Sequence, residues 1–187
     1  MYTYLYTTDS PIDKISINRN YWAVGQGLFT SQNIIAFKED GQDIHINIVY
    51  DCGSISKGSS DILKREIEIF IKSLSYKKVN HLYISHFDKD HVNGIKILKD
   101  LLNKESISVE NIHIPYLSLG QKMITLIDNK EYVSEEQKNE YHSLVITPYT
   151  WFEENFRDSN IHIVFPNPNG SNEQNAEQQD YNSDLIF

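Results

Sequence analysis

Val79-Asn80-His81-Leu82-Tyr83-Ile84-Ser85-His86-Phe87-Asp88-Lys89-Asp90-His91 is the stretch that decides how this chain is read. Its first six residues form an apolar, strand-like run. Four metal-capable side chains, His86, Asp88, Asp90 and His91, then fall within six consecutive residues. An amphipathic helix-like run from Val92 to Leu102 follows at once. Where a strand gives way to a helix the backbone turns sharply. Side chains that would spread along a regular element can then point at one spot. Imidazole and carboxylate together suit zinc, manganese or iron better than calcium, which takes oxygen ligands. The plainer alternative is a solvated loop in which Asp88, Lys89 and Asp90 face water and His91 caps the helix.

Two further segments bear on that choice. One is Val24-Gly25-Gln26-Gly27, where glycines permit positive φ or close backbone approach, as a hairpin turn also would. The other is Val49-Tyr50-Asp51-Cys52-Gly53-Ser54, which closes the alternating run Ile44 to Tyr50, a half-buried strand by its period. Asp51 either orients a ligand histidine without touching the ion or makes local turn bonds to its own backbone.

Taken together, VGQG, the strand ending in Asp51-x-Gly53, and Ser85-His86-x-Asp88-x-Asp90-His91-x-x-Gly94 resemble the metallo-β-lactamase superfamily. The branch they are most similar to is the hydrolase domain of DNA-uptake competence proteins. The resemblance covers Tyr21 to about Leu102 well and the rest weakly. It implies an α/β (α+β) fold, a metallo-β-lactamase-like αββα sandwich. It also implies that His86 and Asp88 serve one metal site and Asp90 and His91 a second. Asp90 and His91 are then the catalytic residues, and Asp51 takes the orienting role. The implied cofactor is one or two zinc ions. Asp88 stands where much of the superfamily has histidine. That makes the site harder and admits manganese or magnesium.

Composition agrees with a globular chain. Apolar residues are 40% of 187, enough for one good core. No apolar run approaches a membrane span and no basic-then-apolar leader opens the sequence, so no membrane partner is expected and the compartment is read as cytoplasmic. The single Cys52 excludes an internal disulfide. A net charge of −9 argues against strong unassisted binding to a nucleic-acid backbone. Lys64, Arg65, Lys72, Lys77 and Lys78 read as the solvated face of a helix and the turn after it.

The chain is read as one domain over 1–187. Strand pairs span Ile15 to Phe37, joined near Gly25-Gln26-Gly27, and a further strand runs from Ile44 to Tyr50. A helix capped by Ser60 or Asp61 presents Leu63, Ile67, Phe70, Ile71 and Leu74 on one face. The strand Val79–Ile84, the histidine-aspartate loop and the helix Val92–Leu102 follow. Ile112–Leu117 is a strand, and Glu131 to Tyr141 a helix or an insertion. Pro148 to Phe156 is a short helix begun by proline, and Ile161–Pro166 a strand. Asn167 to Asp180 reads as an exposed loop and Asn182–Phe187 as the opening of another strand. The Gly-Asp and His-His-Gly motifs that the resemblance implies downstream are absent. The domain is therefore expected to be an N-terminal portion with its downstream part missing.

His45, His81, His113 and His162 alternate with apolar residues and are expected to face solvent. His142 is the best further ligand candidate, although a surface position is the stronger expectation. The function expected is divalent-metal-dependent hydrolysis by a metal-activated water. By resemblance the substrate is a phosphodiester or nucleic acid, with ester, thioester or lactam cleavage a weaker variant. The alternative is a non-catalytic or partner-dependent metal-binding half-domain, with an oligomer or partner completing the fold.

Overall fold

The computed structural model describes residues 11–132 and 135–166. Six strands form one sheet in the order β1-β2-β3-β4-β5-β6. Their spans are β1 Ile12–Tyr21, β2 Phe29–Lys38, β3 Ile44–Cys52, β4 Lys78–Tyr83, β5 Ser108–Pro115 and β6 Asn160–Val164. The first three strands pair antiparallel and β3 through β6 pair parallel. Short turns suffice for the antiparallel pairs, whereas each parallel pair needs a crossover. Helix α1 (Ser59–Ser73) crosses from β3 to β4, and α2 (Lys89–Val92) with α3 (Ile95–Lys104) from β4 to β5. Helices α4 (Leu119–Asn129), α5 (Glu135–Ile146) and α6 (Pro148–Asn155) cross from β5 to β6. All three crossovers advance the same way across the sheet. The right-handed rule for such crossovers then places the helices on one face. This is a mixed α/β architecture, a six-stranded sheet flanked by helices.

The core lies between that face and the helices. The cross-strand row Val49–Leu82–Ile112–Ile161 runs through it. Leu63, Ile67 and Phe70 of α1 and Ile95, Leu98 and Leu102 of α3 pack onto it. Those are the positions the 3.6-residue period selects, three or four apart.

Several boundaries differ from expectation. The helix expected from Val92 is two pieces. Asn93 and Gly94 interrupt it because Gly94 N–H donates to Cys52 O at 2.8 Å, pinning the chain to the end of β3. The cap of α1 is Gly58 at φ 74°, not Ser60 or Asp61. Helix α4 was not anticipated. Its start is fixed by a capping box between Ser118 and Gln121. Leu119, Met123, Ile124 and Ile127 remain exposed on it. The polar segment from Glu131 resolves into a 3₁₀ turn and α5. The readings of Asn167–Asp180 and Asn182–Phe187 lie outside the described residues. Among the described residues no helix is long and apolar enough to cross a membrane.

Candidate metal centre

The parallel strand β4 ends at Tyr83, in the interior of the sheet. The loop Ile84 to Asp88 therefore emerges above the carboxyl ends of the strands. Two segments support it from behind. Leu28 N–H donates to Asp90 O at 3.1 Å, and Gly53 N–H donates to Leu28 O at 2.9 Å. A Cβ on Gly53 would lie 2.5 Å from backbone atoms of Asp90 and His91. The loops carrying VGQG and Asp51-Cys52-Gly53 are thus the wall against which the Asp90-His91 turn is pressed. Only glycine leaves room for it.

Asp51 is fully buried, with its backbone in the left-handed region at φ 55°. Its Oδ1 accepts from the Ser85 amide at 2.8 Å, and its Oδ2 accepts from Ser85 Oγ at 2.5 Å. The same Oδ2 lies 2.8 Å from His91 Nδ1. A proton on Nδ1 donates to this carboxylate and leaves Nε2 with its lone pair facing outward. Asp51, His86 and His91 each offer an atom within 4.8 Å of the others. Yet the carboxylate of Asp51 is enclosed and already accepts twice from Ser85. It lies beneath the two histidines, 2.8 Å from one of them.

Above it, His86, Asp88 and Asp90 bring one ligand atom each within a second 4.8 Å group. His86 Nε2 stands 3.5 Å from Asp88 Oδ2, and His91 Nε2 3.8 Å from Asp90 Oδ2. With bonds of about 2.1 Å, two ligands of a tetrahedral ion lie roughly 3.4 Å apart. The side chains of His86 and Asp88 are half exposed, so an ion can enter from solvent. Nitrogen and carboxylate oxygen in this mix fit a divalent transition ion. The grouping differs from the expected split into two pairs. Three of the four residues share one locus. His91 stands beside it, its ring 3.8 Å from that of His86.

Three positioning residues were not assigned such roles from the sequence. Ser85 Oγ bridges Asp51 and His86, lying 2.8 Å from His86 Nδ1. Buried Asn129, in the last turn of α4, donates through Nδ2 to Asp88 Oδ1 at 3.1 Å and accepts from Lys89 N–H at 2.8 Å. Tyr141 on α5 donates its hydroxyl to Phe87 O at 2.8 Å. Burial, then the carboxylates of Asp88 and Asp90, hold that phenol above its ordinary pKa, so it stays a donor. The Ser in Ser85-His86 was legible as part of a motif. Asn129 and Tyr141 reach the loop from distant helices, and no spacing announces them. Cys52 lies in the core. Burial, then Asp51, raises its thiol pKa and keeps it protonated.

The other histidines are not in these groups. His142 is half-buried on α5. His45 is half-buried: among the described residues its buried Nδ1 has no hydrogen-bond partner, and the ring stacks on Tyr76. His81 and His113 are half-buried in a stack of rings, and His162 beside them is exposed.

No family model matches this chain, and no curated protein matches it. Among solved structures it is similar to a long-form RNase Z from yeast, at 17% identity and a TM-score of 0.36. The alignment covers 80% of this chain and 17% of that one. The chain therefore spans about a sixth of the structure it matches.

Proposed function

We propose that this chain is the ion-binding part of a divalent-metal-dependent hydrolase that cleaves phosphodiesters in the manner of a nuclease. The observation that carries the reading is the convergence of His86, Asp88 and Asp90 beside His91, whose Nδ1 is engaged by a buried carboxylate. His86, Asp88 and Asp90 would hold the ion. Asp90 and His91 would face the reacting group from one side of it. A divalent ion held there supplies Lewis-acid polarisation and brings the pKa of a water toward neutrality. The chain's own residues do the rest. Asp51 fixes the tautomer and aim of His91, Ser85 aligns His86, and Asn129 sets the rotation of Asp88. The resemblance to competence-type hydrolases supports the phosphodiester as substrate. The resemblance supports zinc, and the carboxylates of Asp88 and Asp90 make the ligand set hard enough for manganese or magnesium to substitute.

A second reading, a metal-binding half-domain that works only with a partner, is favoured by the half-exposed state of His86 and Asp88. Both readings require the ion and divide on turnover. Elemental analysis should find bound metal in the wild type and little in a His86→Ala, His91→Ala double variant. Equal content in both would sink both readings. Hydrolysis of bis-p-nitrophenyl phosphate or single-stranded DNA with manganese or zinc, abolished by His91→Ala, supports the enzyme. Metal binding without turnover supports the partner-dependent module.

A further inference from the structure

Asp88 stands where an aspartate ordinarily serves the backbone. It is the N-cap of α2, extended at φ −65° and ψ 144°. A carboxylate at that position commonly accepts from the first amides of the helix. Here the side chain makes no capping bond. Its two oxygens are divided between other neighbours. Oδ2 stands 3.5 Å from His86 Nε2, in the cluster with Asp90. Oδ1 accepts from Asn129 Nδ2 at 3.1 Å, at the end of α4.

Asn129 cannot turn its amide over. Its Oδ1 accepts from the Lys89 backbone N–H at 2.8 Å, a group that only donates. Nδ2 therefore faces Asp88, and its second hydrogen goes to Thr125 O at 2.9 Å. The residue is 6% exposed, which leaves water little access to these bonds. The helix that carries it is fixed at its other end by the Ser118–Gln121 capping box. Asp88 is thus held by a donor matched to an ionised carboxylate, and held by one oxygen.

We infer that Asn129 is a positioning residue that sets the metal selectivity of the cluster: by engaging Asp88 Oδ1 it limits Asp88 to one donor oxygen and disfavours calcium. The inference rests on the ion-binding reading above and adds what decides between ions. Calcium gathers about six to eight oxygens at about 2.3–2.6 Å and takes carboxylates through one oxygen or both. A zinc-like ion takes about four ligands at about 2.0–2.2 Å from carboxylate and imidazole. A carboxylate free to turn can serve either. One tied through Oδ1 is a single-atom donor, as an imidazole is. Asp88 hardens the cluster relative to a histidine. The bond from Asn129 offsets that by withholding the second oxygen.

Chelator competition on the full chain gives manganese and calcium affinities for the wild type, Asn129→Ala and Asn129→Asp. The wild type should bind manganese the tighter. Both variants should shrink the manganese-to-calcium affinity ratio by about tenfold or more. Alanine removes both bonds to the loop. Aspartate still accepts from the Lys89 N–H and lacks only the donor to Asp88, so it carries the test if the alanine variant fails to fold by far-UV circular dichroism. The ratio separates selectivity from support. A residue that merely props the loop would lower both affinities by the same factor, and an added charge acts alike on two divalent ions. In an Asp88→His background, Asn129→Ala should leave the ratio unchanged, because an imidazole offers one atom with or without Asn129. A wild type that binds manganese, with variants that keep its ratio, would overturn this inference and leave the ion-binding reading standing. So would a ratio that shifts equally in the Asp88→His background. A wild type that binds neither ion would overturn both.

Discussion

The two halves of the sheet turn their apolar residues to opposite sides. From β3 to β6, Val49, Leu82, Ile112 and Ile161 face the helices, and their row is the middle of the core. Across β1 to β3, Ile15, Ile17, Ile34, Ile46 and Ile48 face the other way. Strand β3 belongs to both arrangements, with Val49 turned inward and Ile46 and Ile48 outward. The lesson is that the two halves treat their apolar side chains differently: the parallel half buries them under helices and the β1–β2 ribbon leaves several of them exposed. The parallel half carries its own cover and supports the candidate metal loop at the end of β4. The ribbon gains little from the helices and holds its apolar surface in reserve.

The largest expected effect tests that division directly. Leu82→Ala empties a fully buried position and should cost about 2–5 kcal/mol of folding stability. Ile17→Ala, in dilute solution, should change it by no more than about 0.5 kcal/mol. Denaturant titration of both variants decides. Comparable losses would mean that the ribbon is part of the folding core and the contrast is false.

A smaller effect concerns how the metal loop depends on β3. Asp51→Ala removes the carboxylate 2.8 Å from His91 Nδ1 and, on the proposed reading, should weaken divalent-ion affinity by about 10–100-fold. Competition with a chromophoric chelator measures it. Unchanged affinity would show that the loop holds its shape without the strand beneath it.

The smallest effect comes from the ring stack. Burial, then the neighbouring His162 and His81, push the pKa of His113 down to about 4, from an unfolded value near 6.5. The folded state therefore takes up its proton later than the unfolded chain on acidification. The stability associated with neutral His113 is complete above about pH 6.5 and is lost as pH falls toward about 4. His113→Gln should flatten that part of the stability profile. Parallel profiles for variant and wild type would detach the stack from the stability of the sheet.

Much of the parallel half was legible because its signals are local. The run Val79–Ile84, the cluster from His86 to His91 and the stripe Ile95, Leu98 and Leu102 each announce themselves within a dozen residues. Gly94 broke the expected helix through a bond to Cys52, 42 positions earlier, which no periodicity reports. Helix α4 escaped because Leu119, Met123, Ile124 and Ile127 stay in water, so no buried stripe marks it. The isolated histidines were read one at a time as solvent-facing. The stacking of His81, His113 and His162 depends on the register of three strands, a non-local fact. The same holds for Asn129, whose tie to Asp88 spans 41 residues.

Asp51 sits where an ordinary side chain is strained, since a left-handed backbone at φ 55° is visited readily only by glycine, asparagine and aspartate. That narrows what mutation can try there. Glycine eases the backbone but removes every acceptor. Asparagine keeps the shape and one carbonyl oxygen while discarding the charge. Asp51→Asn therefore does more than remove a charge: its amide N–H donates where Oδ2 accepts, so His91 Nδ1 must give up its proton and the tautomer of the ring changes with the charge.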